Sequence, residues 1–255
     1  MRKSKTTALP APYLKRLWVS PDARLPDAYP FDLPWLSSGF ALDFVTPVTI
    51  VIGENGTGKS TLIEAIAALC GYDEAGGGKG YRPLDHSAAV DRSGAQLADV
   101  LRAAWLPKVT TGWFFRAESF FSVARYLDQA AITAAAPPPD FLSWSHGEGF
   151  VRFFEERMSR QGIYFLDEPE SALSPKRQLE LLRLLHAIQQ SAGAQIIMAT
   201  HSPILMAVPG ASLLEITRGG LTKTELTRTQ HFRLYRDFTS DPEDFIARAL
   251  QDGEA

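Results

Sequence analysis

An α/β fold with a mainly parallel central sheet is predicted by three observations. An apolar, β-branched run from Val48 to Ile52 feeds straight into a glycine-rich loop and then an apolar helix, Leu62 to Leu69. Two further short apolar runs, Ile163 to Leu166 and Gln195 to Ala199, alternate with an amphipathic helical stretch from Lys176 to Gln190. That β/α alternation is the pattern of parallel pairing. Finally, each of the three runs ends in residues that carry chemistry: the loop after Ile52, Asp167-Glu168, and Thr200-His201.

The loop reads Gly53-Glu54-Asn55-Gly56-Thr57-Gly58-Lys59-Ser60-Thr61 and fits a phosphate-binding loop. Gly53, Gly56 and Gly58 let the backbone turn tightly enough to aim successive N–H groups at one anion, and a helix opening near Lys59 adds its dipole to the same field. Lys59 is expected to reach the β- and γ-phosphates of a nucleotide, and the Ser60 hydroxyl to hold Mg²⁺. The carboxylates at the end of the 163–166 strand have different expected jobs. Asp167 belongs to the Mg²⁺ shell, and Glu168 is the general base that polarises an attacking water. His201, at the end of the next strand, falls at the same edge of the sheet, where ligands collect in open α/β folds.

Taken in order, Tyr13 to Val19 reads as an edge strand and Ser20 to Ser38, with four prolines, as an irregular loop. Phe40 to Phe44 is a second short N-terminal strand. Tyr29, Phe31 and Phe40 are candidates for stacking on a base, with packing the stronger expectation for each. Gly76 to Gly80 is too glycine-dense for regular structure and is expected to be a mobile surface loop. A helix is expected from Ala95 to Trp105, a buried strand end at Trp113 to Ala117, and another helix from Glu118 to Ala131, closed off by Pro137 to Pro139. The block 71–139 is the candidate for an inserted helical lobe within a single domain spanning 1–255. A helix from Gly147 to about Ser159 leads into the carboxylate strand, and the C-terminal part, 212–255, reads as a β-hairpin followed by helices.

Ser145-x-x-Glu148 is a capping box, which by itself explains those residues. The same helix start, with Ser145 and the N–H groups near Gly147, is also an anion site.

Composition bounds the rest. With 255 residues, 45% hydrophobic and 22% charged, the chain can bury a full core. No apolar run approaches the roughly 20 residues that span a bilayer, so the chain is not expected to be membrane-embedded. The lone Cys70 leaves no internal disulfide, and a reducing cytoplasm suits it. A net charge of −3 argues against a broad basic footprint for nucleic acid. Basic residues still gather near both ends, with Lys15 and Arg16 after a basic start and Arg218, Lys223, Arg228, Arg233 and Arg236 toward the close.

Together, the loop Gly53 to Ser60, the segment Ser145-His-Gly-Glu148, Asp167-Glu168, Ser171-Ala-Leu-Ser174 and His201 resemble the motifs of the ABC-type (ATP-binding-cassette) ATPases within the AAA-family P-loop proteins. The resemblance implies an ABC-type fold with antiparallel N-terminal strands, ATP and Mg²⁺ as ligands, and ATP hydrolysis. It also implies two subunits closing head to tail around two ATP molecules, with Ser145 against the γ-phosphate held by the partner and Ser171 to Ser174 crossing the interface. The signature departs from the Leu-Ser-Gly-Gly-Gln of transporter cassettes, and the loop after the middle strand, Arg116-Ala-Glu-Ser119, has no glutamine. Those variants look more like stand-alone ATPases akin to the heads of RecF- and SbcC-type DNA-repair proteins. Arg116 and Glu118 either sense Mg²⁺ and γ-phosphate or pair structurally. The expected function is a cytoplasmic ATPase, an ATP-dependent homodimer acting on DNA or a protein partner. The alternatives are a transporter's ATP-binding subunit, or the ATPase half of a toxin or defence pair working as a nucleotide switch.

Overall fold

Val48–Gly53 (β3) is buried at every position. Its β-branched residues face protein on both sides, as central parallel strands require. The computed structural model describes residues 8–74, 76–79, 93–116 and 146–252. Among these, β3 is the third strand of a seven-stranded sheet. Ser212–Thr217 (β9) lies on one side of it, and Gln195–Ala199 (β8), Ile163–Asp167 (β7) and Gly112–Arg116 (β6) follow on the other, all parallel. Gly220–Lys223 (β10) and Gly77–Gly78 (β4) pair antiparallel at the two edges. The register sets Val51 and Asp167 each opposite Ala199, and Arg116 opposite Asp167. The carboxyl ends of four neighbouring strands therefore coincide.

A second, antiparallel sheet packs Leu14–Val19 (β1) between Ala41–Asp43 (β2) and Leu101–Trp105 (β5). It shares a core with Lys59–Leu69 (α1), through Leu17, Leu42, Leu62, Ile63 and Ile66 among others. Ser93–Val100 (α2) lies against α1, and Gly94 makes that approach possible: a Cβ there would meet Glu64 Cβ at 2.4 Å. On the opposite face of the large sheet, His146–Met158 (α3) buries Phe150, Phe153 and Phe154 against Trp113 and Phe115, with edge-on rings 4.6–5.3 Å apart. Pro175–Ser191 (α4) covers the same face with Leu181, Leu185 and Ile188. Ser174 caps it and Pro175 opens it, while its end is set by Ala192 in the left-handed region. Pro203–Met206 (α5), Gln230–Ser240 (α6) and Pro242–Asp252 (α7) complete the described chain.

Three expectations differ from what is observed. The stretch expected as one helix from Ala95 to Trp105 is α2 followed by β5: Leu101-Arg-Ala-Ala-Trp105 has helix-forming residues, but its backbone pairs with β1. That pairing also makes β1 a central strand rather than an edge. Within the glycine run expected as a mobile loop, Gly77 and Gly78 pair with Phe114 and Trp113. Gly78 is required there, since a Cβ would stand 2.7 Å from the Trp113 ring. Of the block 71–139, the described part contributes α2 to the flank of α1 and β4, β5 and β6 to the sheets. The helix expected over 118–131, with Glu118, lies outside the described residues.

Candidate active site

The loop after β3 folds as its glycines dictate. Gly53, Gly56 and Gly58 have φ of 150°, 75° and 87°, where an L side chain is strained. A Cβ on Gly53 would come within 2.7 Å of Ile216 O, and one on Gly58 within 2.6 Å of Leu33 Cδ2. Gly56 faces open space. Thr57 Oγ1 donates to Glu54 O at 2.8 Å, and Lys59 Nζ reaches back to the same carbonyl at 3.1 Å. Gly58, in the left-handed region, is followed by the first turn of α1, whose N–H groups have no side-chain cap. Such a helix start suits an anion. Lys59 is buried, and its pKa is lowered by that burial, with Glu168, Asp167, Glu170 and Glu54 working in the opposite direction.

At the end of β7 the two carboxylates diverge. Asp167 is buried, and its Oδ1 accepts from Ser60 Oγ at 3.0 Å, so an oxygen pair sits ready beside the loop. A hydroxyl and a carboxylate in contact are a donor set suited to Mg²⁺, a hard cation that takes oxygen ligands and keeps several waters. The residues present fit that ion. Glu168 turns outward with φ 47° and ψ 54°. A left-handed glutamate costs on the order of 1–3 kcal/mol, the kind of strain found at functional sites. Its N–H is held by Ala199 O at 3.0 Å and its carbonyl accepts from Ser171 Oγ at 2.7 Å.

Beyond β8, Glu170 grips the backbone of the histidine loop. Its carboxylate accepts from Thr200 Oγ1 at 2.7 Å and from His201 N at 2.5 Å. Burial raises the Glu170 pKa, and these two hydrogen bonds oppose the rise. His201 Nε2 stands 3.4 Å from Glu168 Oε1, and His201 Nδ1 is 3.1 Å from His231 Nε2 at the start of α6. Burial lowers the His201 pKa, Lys59 and His231 adding to the effect and Glu168 opposing it.

Arg116, left open between sensing and pairing, makes close pairs. Its Nη1 donates to Glu64 Oε1 at 2.6 Å and to Glu74 O at 3.0 Å, while its Nε lies 3.7 Å from Asp167 Oδ2. Burial pushes the Glu64 carboxyl up to about 7, with Asp167 and Glu74 adding to the rise and Arg116 countering it.

The structure thus brings together the loop, Thr61, Asp167, Glu168 and His201. Gly147 lies in the first turn of α3, and Ser145 is outside the described residues. Of the aromatic candidates, Phe40 is buried against Trp35 at 5.1 Å and Phe31 packs on the same core. Tyr29 is half-exposed, with its hydroxyl 2.6 Å from Thr61 Oγ1. Trp35, which sequence reasoning passed over, donates to Thr57 O at 3.0 Å and so touches the loop directly. A cavity of about 460 Å³ opens beside the loop, with Pro34, Asn55, Glu215, Arg218, Gln230 and His231 in its wall. Among the described basic residues near the two ends, Arg16 pairs with Asp43, Arg228 with Glu225 and Arg236 with Asp237.

Residues 34–100 match a family model described as "AAA domain", and residues 123–207 one described as "AAA domain, putative AbiEii toxin, Type IV TA system". The chain is 24% identical over 160 residues to the zinc import ATP-binding protein ZnuC of Vibrio cholerae, an alignment covering 60% of this chain and spanning 56% of that protein's length. It is 25% identical over 213 residues to the molybdate import ATP-binding protein MolC of Haemophilus influenzae, covering 78% and 83%. The thiamine import ATP-binding protein ThiQ of Cereibacter sphaeroides is 27% identical over 174 residues, covering 60% and 70%. Among solved structures, the SMC head domain from Thermotoga maritima aligns over 84% of this chain and 99% of its own, with 16% identity and a TM-score of 0.46. CbiO1 of Clostridium perfringens, part of an ABC transporter complex, aligns over 83% and 91%, with 16% identity and a TM-score of 0.42. No helix among the described residues is long and apolar enough to cross a membrane.

Proposed function

We propose that the chain is an ABC-type P-loop ATPase domain that binds MgATP at Gly53 to Thr61, dimerises head to tail around two ATP molecules and hydrolyses them to drive a protein partner or a nucleic-acid process. The observation that carries the reading is the Ser60–Asp167 contact at 3.0 Å, with Glu168 and His201 beside it at one sheet edge. The loop N–H groups and the Lys59 ammonium bind the phosphates. Ser60 Oγ and the Asp167 carboxylate hold Mg²⁺, which when bound draws charge from the phosphoryl oxygens. The Glu168 carboxylate orients a water and takes its proton as the water oxygen bonds to the γ-phosphorus. The bond to the bridging oxygen breaks and ADP leaves with that electron pair. His201 Nε2 donates to the γ-phosphoryl group as charge builds on it. Ser145 and Gly147 complete the site of the opposite subunit.

Two other readings have specific support. The three relatives bear the names of import ATP-binding proteins, which favours an ATP-binding subunit docked on a separate transporter. The model matched by residues 123–207 favours the ATPase half of a toxin or defence pair. Stand-alone dimerisation tests the head-to-tail arrangement that the main reading requires. In sedimentation, Glu168→Gln should form an ATP-dependent dimer, and adding Ser145→Arg should return it to monomer by misplacing charge at the shared phosphate. A double variant that still dimerises with ATP would leave Ser145 as a helix cap alone. A Glu168→Gln protein that stays monomeric with MgATP would overturn the head-to-tail dimer.

A further inference from the structure

His201 is held on three sides, and one of those sides is not part of the strand edge that supplies the rest of the site. Its backbone N–H is fixed by Glu170 at 2.5 Å. Its Nε2 faces Glu168 Oε1 at 3.4 Å and has no hydrogen-bond partner. Its Nδ1 meets Nε2 of His231 at 3.1 Å. His231 comes from the first turn of α6, thirty residues further along. That turn is positioned by Thr229, a fully buried cap whose Oγ1 accepts from Phe232 N at 3.1 Å and donates to Leu226 O at 2.8 Å. Beyond Phe232 every residue of α6 is exposed. The helix is therefore anchored to the body at the turn that presents His231.

A 3.1 Å contact between two neutral imidazoles needs one proton, and only two arrangements supply it. If His201 Nδ1 carried it, His201 Nε2 would present a bare lone pair to the Glu168 carboxylate at 3.4 Å, which is repulsive. If His231 Nε2 carries it, His201 Nδ1 accepts, and the proton of His201 sits on Nε2, facing the carboxylate. His231 Nδ1 is buried without a partner in either case, so it does not alter the choice. The electrostatics select the second arrangement.

We propose that His231 is a positioning residue for hydrolysis: by donating from Nε2 to His201 Nδ1 it locks His201 in the tautomer whose Nε2–H faces Glu168 and the reacting phosphoryl group. The inference rests on the roles assigned above to Glu168 and His201. The ring nitrogen remote from the reaction sets which proton the near nitrogen carries, and where a histidine ligates a metal, such outer partners are worth about 10–100-fold in affinity or activity, the scale adopted for this contact. It also ties the start of the C-terminal helices to the site, because the donor moves with α6.

The test uses the full chain at a pH of about 8, where histidine is neutral. His231→Phe removes the donor and keeps a ring. His231→Gln keeps an N–H at the same reach. His231→Phe should lower kcat about 10-fold with the KM for MgATP unchanged, and His231→Gln should recover it to within about 3-fold. In ¹⁵N spectra of the wild type, with His201 assigned from His201→Gln, Nδ1 should give the signal of an unprotonated ring nitrogen and Nε2 that of a protonated one. Equal, lowered rates for the Phe and Gln variants would reduce His231 to an anchor for α6. A wild-type rate in His231→Phe, or a protonated Nδ1 on His201, would overturn the assignment. If the Phe variant does not fold, the wild-type spectrum decides. Hydrolysis unaffected by Glu168→Gln would instead sink the underlying reading of the site, while the nitrogen signals would still report on His231.

Discussion

Ser60 Oγ donates to Asp167 Oδ1 across 3.0 Å, joining the first turn of α1 to the end of β7. These residues are 107 positions apart, and the parallel pairing of β3, β8 and β7 brings them together. A second set of charges closes over them from the far side. Arg116 reaches both Glu64, one turn along α1 from Ser60, and Asp167. The oxygen pair therefore has its loop on one flank and an arginine on the other.

Removing the buried ammonium should cost affinity and leave the fold intact. Lys59→Ala deletes a charge-assisted contact to phosphate, and MgATP binding should weaken by about 1.5–3 kcal/mol. Titration calorimetry with ATP checks this. Unchanged affinity would move the phosphates away from the loop.

Glu64 gives a pH dependence whose sign is fixed. Its folded pKa of about 7 lies above its ordinary value of 4.5. The folded state thus holds this proton more tightly than the unfolded one, and the associated stability is complete below pH 4.5 and lost as pH rises through about 7. The loss amounts to at most about 3 kcal/mol. In Mg²⁺-free protein, the Tm of the wild type should fall relative to Glu64→Gln between those limits. A wild-type Tm that holds level or rises relative to Glu64→Gln over that range would contradict the burial effect.

Gly112 supplies a test of the sheet. With φ 142°, a Cβ there would stand 1.9 Å from Ile163 O, a backbone atom that cannot swing aside. Gly112→Ala should destabilise the protein by at least about 2 kcal/mol, measured by denaturant unfolding. A variant of wild-type stability would mean that β6 and β7 pair differently.

Legibility in the sequence followed locality. The glycine loop, Asp167-Glu168 and His201 could be read because each is a contiguous motif at the end of an apolar run, and a strand end implies a sheet edge. Glu170 could not, since its role comes from approaching Thr200 and His201 across the sheet, and Glu-after-Pro reads locally as a turn. Glu64 has no partner within its own apolar helix, and its burial comes from elements distant in sequence, Gly94 of α2 and Arg116 of β6. Trp35 sat in a proline-rich loop with no periodicity to assign it a face. His231 lies in a terminal helical stretch that is exposed at nearly every position after Phe232, so nothing nearby marked it. The same limit produced the misread helix at Leu101 to Trp105: local composition favoured helix, and the non-local pairing with β1 prevailed. Signals such as Thr229 before α6, or the buried Glu64 within α1, had meaning only once their partners were placed.

The central claim is that the Glu168 carboxylate takes the proton of the attacking water. Single-turnover hydrolysis of MgATP by the wild type and by Glu168→Gln, with ATP binding measured on the same preparations, tests it most directly. The account predicts unchanged binding and hydrolysis slowed about 10²–10⁴-fold. Equal single-turnover rates in the two proteins would contradict it.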